Sequence, residues 1–299
     1  MLKKVGVKIM ETITNILKKP TSKNEIQFIG PADEALSFDH SKIKFVGEGN
    51  TLIVERGAKF KDTNIHFNGN DSVVIIGKSN RRATFNVSVW NNNTFFIGRN
   101  YSFNGRARFI LSEQKNLFIG DDNMFSTGVV VRLADPHLIY DAPTKKRINP
   151  TKSVYVGDHI WIGQDVMILK GVNIGSGSIL GAKSLVSKSL PSNVSAAGSP
   201  ARIIRKDVFW ARPSVHAYTD NETEAAEHFL DERFIYSEGG SVDNHFKLIE
   251  KDLTNATSGA ERAKILLPYL DKHDKNRFFI PAKMKKKEPL LKGLFSKGE

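Results

Sequence analysis

One histidine of this 299-residue chain stands in a setting that suits acid–base chemistry. His137 follows Asp135 and Pro136 and comes four residues before Asp141. A neutral imidazole can take the proton of an alcohol at neutral pH, and a carboxylate on its second nitrogen can hold the ring in place. We therefore predict that His137 is a general base. Asp135 and Asp141 are the candidates for orienting it, and either one equally suits a turn.

The remaining residue types narrow the chemistry further. The chain has no cysteine, which excludes disulfides, thiolate catalysis and zinc held by cysteine. No motif of a serine nucleophile is present either. If the reaction is a group transfer, we therefore expect the group to pass directly between two bound substrates, without a covalent enzyme intermediate. His159 lies inside a repeat and is interpreted as structural. Four further histidines lie outside the repeats: His216, His228, His245 and His273.

The element that must position His137 is a six-residue repeat. One aliphatic residue recurs at every sixth position without a break, at Val156, Ile162, Ile168, Ile174, Leu180 and Val186. This period fits neither a helix nor a simple strand, but it fits a coil of three short strands that turns one side chain inward per strand. Such coils bury their apolar faces only by stacking, which predicts a prism with an aliphatic core.

A looser form of the same pattern runs upstream. Apolar pairs recur about every 21 or 22 residues, at Ile53-Val54, Ile75-Ile76, Phe96-Ile97 and Phe118-Ile119. Asn-rich segments between them suit corners, because Asn tolerates left-handed backbone angles. We predict a β-helix over residues 40–206. The spacing from Ile119 to Val156 exceeds one coil, so a loop over residues 132–153 is expected to carry the catalytic histidine.

The two ends of the chain differ from the repeats. Residues 1–20 carry apolar residues at helical spacing among lysines, which predicts a short amphipathic helix that packs on the protein or lies on an anionic membrane surface. Residues 207–280 are predicted to form a helical C-terminal region, and residues 281–299 a basic tail. No long apolar run is present, so we expect a cytoplasmic protein, with peripheral contact at the inner membrane as an open alternative.

Three segments resemble the hexapeptide-repeat acetyltransferases. They are residues 156–163 (VGDHIWIG), 181–184 (GAKS) and 197–202 (AGSPAR). The runs DPHLIYD at 135–141 and RINP at 147–150 look like the segment around the catalytic histidine of capsular and sialic-acid polysaccharide O-acetyltransferases. The resemblance implies a mainly β fold, a left-handed parallel β-helix. It also implies a homotrimer with the active site between adjacent subunits and His137 as base.

The same resemblance implies acetyl-CoA as co-substrate, and no metal. The pantetheine arm is expected along small residues of the last coils, and the phosphates near basic residues, so the predicted cofactor-binding set is Gly181, Ala182, Lys183, Lys188, Pro200, Arg202, Arg205 and Lys206. Trp161 stands where the family also has tryptophan and is predicted, with His137 and Asp135, as a catalytic-site residue beside the sugar or the CoA arm; packing between neighbouring subunits is the alternative. Arg132, Tyr140 and Trp161 are the predicted acceptor contacts.

The acceptor class stays open at this level. The chain carries 44 Lys and Arg against 32 Asp and Glu, a net charge of +12 that favours an anionic polysaccharide. One alternative is a small acceptor, such as a nucleotide-linked amino sugar or serine. Another is a non-catalytic or zinc-binding β-helix, although the histidines of the coils lack metal-ligand spacing. No nucleic-acid-binding module accompanies the basic charge.

Overall fold

A computed structural model describes residues 10–238, 245–272 and 274–282 of the chain. These residues form a mainly β fold, a left-handed parallel β-helix of about seven coils with a helical C-terminal region, as the sequence predicts. Each coil contributes one short strand to each of three faces. Strands of one face pair in parallel with those of the neighbouring coils, so the stack is a triangular prism.

Face 1 begins each coil. Its strands are β2 (Glu25–Ile29), β5 (Thr51–Glu55), β8 (Val73–Ile76), β11 (Thr94–Ile97), β14 (Asn116–Ile119), β17 (Val154–Val156) and β20 (Asn173–Ile174). Face 2 follows in two sheets. The lower one contains β3 (Ser37–Asp39), β6 (Lys59–Lys61) and β9 (Arg82–Ala83), and the upper one contains β12 (Ser102–Phe103), β15 (Met124–Phe125), β18 (Trp161–Ile162), β21 (Ile179–Leu180) and β23 (Val194–Gly198).

Face 3 completes each coil. Its strands are β4 (Lys42–Phe45), β7 (Asn64–Phe67), β10 (Phe85–Val89), β13 (Ala107–Ile110), β16 (Val130–Arg132), β19 (Met167–Leu169) and β22 (Leu185–Val186). One antiparallel strand lies at an end of each of two sheets. On face 3, β1 (Glu11–Ile13) pairs with β4, and on face 2, β24 (Ala201–Lys206) pairs with β23. They cover strand edges that would otherwise be free to pair with another chain.

The interior of the prism contains the predicted hexad residues. All six, from Val156 to Val186, are fully buried. The lower coils use larger side chains, and Phe45 and Phe67 stack with ring centroids 4.8 Å apart. Each buried aliphatic or aromatic side chain stabilises the stack by about 1.5–3 kcal/mol. Corner residues take left-handed backbone angles, as at Asp71 with φ 57° and Asn92 with φ 52°.

The helical C-terminal region covers face 1. It contains α1 (Asp220–Ala225), α2 (His245–Asn255), α3 (Gly259–Leu266) and α4 (Pro268–Asp271), with short 3-10 turns at Val215–Ala217 and Glu232–Phe234. The outward side chains of face 1 and apolar residues of this region form a second buried cluster that includes Ile53, Ile75, Phe96, Phe118, Tyr155, Phe246, Leu253, Leu266 and Phe278. Within the described residues, faces 2 and 3 have no comparable helical cover.

Arg277 and His159 are among the residues that fasten this region to the coils. The buried Arg277 guanidinium donates to Asp158 at 2.9 Å and to Asp121 at 2.8 Å. The His159 ring is stacked between Trp210 and Phe234, with centroid distances of 4.1 and 4.0 Å. Its Nδ1 lies 2.6 Å from an Asp122 carboxylate oxygen, and its Nε2 lies 2.9 Å from the Trp210 carbonyl oxygen. The environment of His159 is therefore that of a buried structural residue.

Two predicted boundaries need correction. The first coil begins at Glu25, earlier than residue 40, because Glu25–Ile29 pairs with Thr51–Glu55 in full register. His40 therefore also lies within the coils. The helix predicted within residues 1–20 is wrong for the described part, since Glu11–Ile13 is a strand paired with face 3. Residues 1–9 and most of the predicted basic tail lie outside the described residues.

Among the described residues, no helix combines the length and the apolar character needed to cross a membrane.

Candidate active site

The predicted catalytic loop is an excursion from the corner between faces 3 and 1. It leaves after β16 and returns at β17, and we call residues 133–153 the His137 loop. Its two arms pair antiparallel: Tyr140 forms an isolated bridge with Arg147, and the Ile148 N–H donates to the Ile139 carbonyl at 2.9 Å. The loop is therefore a short, ordered arm that projects from the coils.

Asn149 holds the base of this arm. Its buried side-chain amide donates to the His137 carbonyl oxygen at 2.7 Å and accepts from the Ile139 N–H at 2.9 Å. It thereby fixes the backbone on both sides of Leu138. Asn149 belongs to the RINP segment at 147–150, and its role in the loop was not predicted from the sequence. No spacing rule could have found this contact, because it joins two arms through a side chain.

Glu113 anchors the arm to the coil below. Its carboxylate accepts from both Arg147 guanidinium nitrogens, at 2.7 and 2.9 Å, and from the Thr151 hydroxyl and N–H. These hydrogen bonds lower the pKa of Glu113 to about 2, and the bond from Arg147 has the largest effect. Glu113 lies at a corner 24 residues before His137 and was not predicted, since only the stacking of coils brings it there.

A cavity of about 500 Å³ opens beside the arm, and we call it the His137 cavity. It lies between the arm and the outside of face 3, and its walls include Trp90, Ile110, Glu113, Arg132, Asp135 and Leu138. Pro136 and Leu138, the two chain neighbours of the exposed His137, both line this cavity, whereas the His137 side chain does not. Of the predicted acceptor contacts, Arg132 lines this cavity, while Tyr140 is exposed further along the arm.

Neither aspartate proposed to orient His137 contacts its ring in this chain. Asp135 accepts from the Lys170 ammonium at 2.6 Å, and this hydrogen bond lowers the pKa of Asp135. Asp141 accepts from Thr144 within the tip of the arm, which makes it a turn residue. Within the described part of the chain, the His137 imidazole makes no hydrogen bond and is left open towards solvent.

Trp161 lies elsewhere on the prism. It is the first residue of β18 on face 2, with 41% of its surface exposed, whereas His137 projects from the corner between faces 3 and 1. A single chain therefore does not bring the two predicted catalytic residues together.

The predicted cofactor residues separate into two groups. Gly181, Ala182 and Lys183 form the corner that leads from face 2 to face 3 after β21, and the hairpin of β23 and β24 lies next to it on face 2. That hairpin carries the rest of the first group: Pro200, Arg202, Arg205 and Lys206. Lys188 stands apart, because it follows β22 at the corner between faces 3 and 1.

The uncovered faces carry apolar side chains in their upper coils. On face 3, Val130 pairs with Met167 and Met167 with Leu185, all partly exposed. On face 2, Trp161 stands between Met124 and Ile179 in register. Regular apolar rows at a surface mark a site of association. Among the described residues, no three His, Asp or Glu side chains lie close enough to hold a metal ion.

No protein-family model matches the chain. Polysialic acid O-acetyltransferase of Escherichia coli O1:K1 / APEC is 36% identical over 116 residues, which are 39% of this chain and 38% of that protein. Galactoside O-acetyltransferase of Lactococcus lactis subsp. lactis (strain IL1403) is 34% identical over 115 residues, 37% of this chain and 55% of that protein. The match thus spans roughly two fifths to just over half of these curated relatives.

Two solved structures share the fold over most of their length. The polySia-specific acetyltransferase NeuO superposes with a TM-score of 0.59 and 29% identity, covering 68% of this chain and 93% of that one. The polysialic acid O-acetyltransferase OatWY superposes with a TM-score of 0.53 at 23% identity, which shows the fold alone.

The coils, the buried hexads and the projecting histidine loop define a parallel β-helix of the hexapeptide-repeat class. Together with the relatives above, they make the chain similar in sequence and fold to hexapeptide-repeat acetyltransferases.

Proposed function

We propose that this protein transfers an acetyl group from acetyl-CoA to a hydroxyl of a bacterial surface polysaccharide, with His137 as general base. The observation that carries the proposal is the His137 cavity. This space is large enough for a sugar and is lined by both chain neighbours of His137, whose imidazole is unengaged, on a β-helix similar to those of hexapeptide-repeat acetyltransferases. The similarity to polysialic acid O-acetyltransferase supports a sugar polymer as acceptor.

The proposed reaction is one direct step between two bound substrates. A neutral imidazole takes the proton of the acceptor hydroxyl while the hydroxyl oxygen attacks the thioester carbonyl carbon. The carbon–sulfur bond then breaks, and the imidazolium returns the proton to the leaving thiolate. The products are the acetyl ester and free CoA, and no covalent enzyme intermediate is needed. The absence of cysteine from the sequence agrees with this route.

We infer that the site is completed by a second copy of the chain. Face 3 and face 2 present different apolar rows. If face 3 of one copy contacts face 2 of the next, the same contact repeats from copy to copy and closes a ring. A homotrimer of this kind places the His137 loop of one copy, which borders face 3, beside the Trp161 side chain of its neighbour on face 2. This arrangement accounts for the separation of His137 and Trp161 within one chain.

Acetyl-CoA is proposed to bind at the upper corner between faces 2 and 3. Gly181 and Ala182 present little side chain there, so an extended arm can run close to the backbone. The adjoining hairpin supplies exposed cations that form no ion pair with any described acidic residue: Arg202, Arg205 and Lys206. A guanidinium binds phosphate oxygens in a forked geometry, which suits the phosphates of CoA. Lys188, which follows β22 at the corner between faces 3 and 1, is not part of this set.

A polymeric acceptor is favoured over a small one by the openness of the site. The His137 cavity lies on the outside of the prism, with Arg132 in its wall and Arg108 in the adjacent strand of face 3, below the apolar row proposed to contact the neighbouring copy. A long anionic chain can lie along such a surface, whereas a small acceptor requires enclosure. We place the activity on the cytoplasmic side, where acetyl-CoA is made available.

The direct test is transfer of labelled acetyl from acetyl-CoA to a panel of acceptors. The panel contains anionic and neutral capsular polysaccharides, nucleotide-linked amino sugars and serine. We expect label in an alkali-labile ester on an anionic polysaccharide. Label on a nucleotide-linked amino sugar or serine alone supports the alternative, an acetyltransferase for a small acceptor. No label on any acceptor contradicts the proposal.

A further inference from the structure

A second cavity lies on the other side of the His137 loop. It has a volume of about 490 Å³ and is formed between the corner of the coils and α2. Four lysines and one glutamate line it: Lys115, Lys152, Lys247, Lys251 and Glu250. We call this cavity the lysine groove. Its outer wall is part of the helical C-terminal region.

The negative charge of the lysine groove is already engaged. Glu250 accepts hydrogen bonds from the Tyr155 hydroxyl and, at 3.3 Å, from the Asn116 side chain. Its other oxygen lies 3.8 Å from the Lys115 ammonium. Lys152, Lys247 and Lys251 are exposed and form no ion pair with any described acidic side chain. The groove therefore presents three free ammonium groups to whatever enters it.

The placement of two of these lysines is costly without an anionic partner. Lys247 and Lys251 are four residues apart on α2, so their side chains lie on the same side of the helix. Like charges at this spacing repel each other and destabilise a helix. An anion between them removes the repulsion, and Lys152 faces it from the coils.

The groove adjoins the candidate active site. Glu113 lines the His137 cavity and Thr151 lines the lysine groove, and the two residues are hydrogen-bonded to each other. Lys115 belongs to the same corner as Glu113 and Gln114. A flexible chain that passes over this contact enters both cavities at once.

We propose that the lysine groove binds the carboxylates of a polyanionic polysaccharide, on sugar residues that lie beyond the one acetylated at His137. The inference rests on the proposed function and adds the acceptor's charge and its second contact. Three ammonium–carboxylate contacts at a solvent-exposed surface together change affinity by about tenfold, and added salt weakens them. A single sugar bound in the His137 cavity does not reach the groove.

The test compares two triple variants of the full chain. The groove variant replaces Lys152, Lys247 and Lys251 with Ala. The control replaces Lys18, Lys19 and Lys59 with Ala; these are exposed lysines away from both cavities, and the change in net charge is the same. Binding of fluorescently labelled polysialic acid and polygalacturonate is measured by anisotropy without acetyl-CoA, with neutral dextran as a reference.

We expect the Kd of the groove variant for at least one acidic polymer to rise about tenfold, while the control variant stays within about twofold of the wild type. Equal loss in both variants, no loss in either, or no binding of either polymer by the wild type overturns the proposal. A raised KM for acetyl-CoA with unchanged polymer affinity also overturns it and assigns these lysines to CoA. Because binding is measured without turnover, a failure of the proposed activity is seen separately, in the transfer assay.

Discussion

The side-chain amide of Asn149 donates to the backbone carbonyl of His137 at 2.7 Å, across the two arms of the loop. Asn149 thus fixes the backbone that carries the His137 imidazole. Asn149 is buried and does not line the His137 cavity. Lys170 and Asp135 brace the same segment from the next coil at 2.6 Å. The proposed general base lacks a carboxylate partner within its own chain, so its position depends on such backbone support.

Replacement of His137 with Ala is expected to lower kcat by about 10²–10⁴-fold, because proton transfer from the acceptor hydroxyl loses its base. The melting temperature is expected to stay within a few degrees of wild type, since the side chain is exposed and makes no hydrogen bond. Steady-state kinetics and circular dichroism check both points. The matched control is His216→Ala, an exposed histidine outside the coils, and near-normal turnover by the His137 variant removes it as base.

Replacement of Asn149 with Ala is expected to act through His137. It leaves the His137 carbonyl and the Ile139 N–H without their partner, a loss of about 1–3 kcal/mol in the free energy of unfolding. We expect kcat to fall about tenfold or more while the KM for acetyl-CoA stays unchanged. A purely structural role predicts lower stability with an unchanged kcat per folded molecule, so urea unfolding and kinetics are measured on the same samples.

The contact of Glu113 with Arg147 and Thr151 is expected to depend on pH in a defined direction. Because the pKa of Glu113 is lowered from 4.5 to about 2, its contribution to stability is complete above pH 4.5 and is lost as the pH falls towards 2. Glu113→Gln is expected to reduce the free energy of unfolding by up to about 1 kcal/mol, since the pair is partly exposed.

This effect is checked by urea unfolding of the wild type and the Glu113 variant at several pH values. The difference between them is expected to shrink between pH 4.5 and the acid limit. A difference that stays constant across this range shows that the carboxylate charge does not anchor the loop.

A site shared between copies predicts complementation. His137→Ala and Trp161→Ala are each expected to be nearly inactive alone. When the two variants are refolded together, roughly a quarter of wild-type activity is expected, because about one subunit contact in four then carries both intact residues. Light scattering reports the trimer mass on the same samples. Activity that never exceeds the sum of the separate variants places both residues in one chain's site, contrary to the proposal.

Much of the architecture follows from the sequence because burial in a coil is periodic. Aliphatic residues at each sixth position from Val156 to Val186 can be removed from water only in stacked three-strand coils, and all of them are fully buried. The looser coils were placed less well. Glu25–Ile29 was missed as the first strand, and Glu11–Ile13 was expected to be helical, because a short apolar segment suits either structure until a neighbouring strand pairs with it.

The sequence by itself determined the repeat, the projecting loop and the histidine within it, because these depend on local period and residue type. Only the tertiary structure decided which groups surround that histidine. Stacking brings Glu113 against Arg147, the loop's own fold turns Asn149 towards His137, and Asp135 pairs with Lys170 instead of the imidazole. The C-terminal helices cover face 1, and α2 sets two lysines beside the loop. Such contacts join residues far apart in the chain, so no spacing along the sequence contains them.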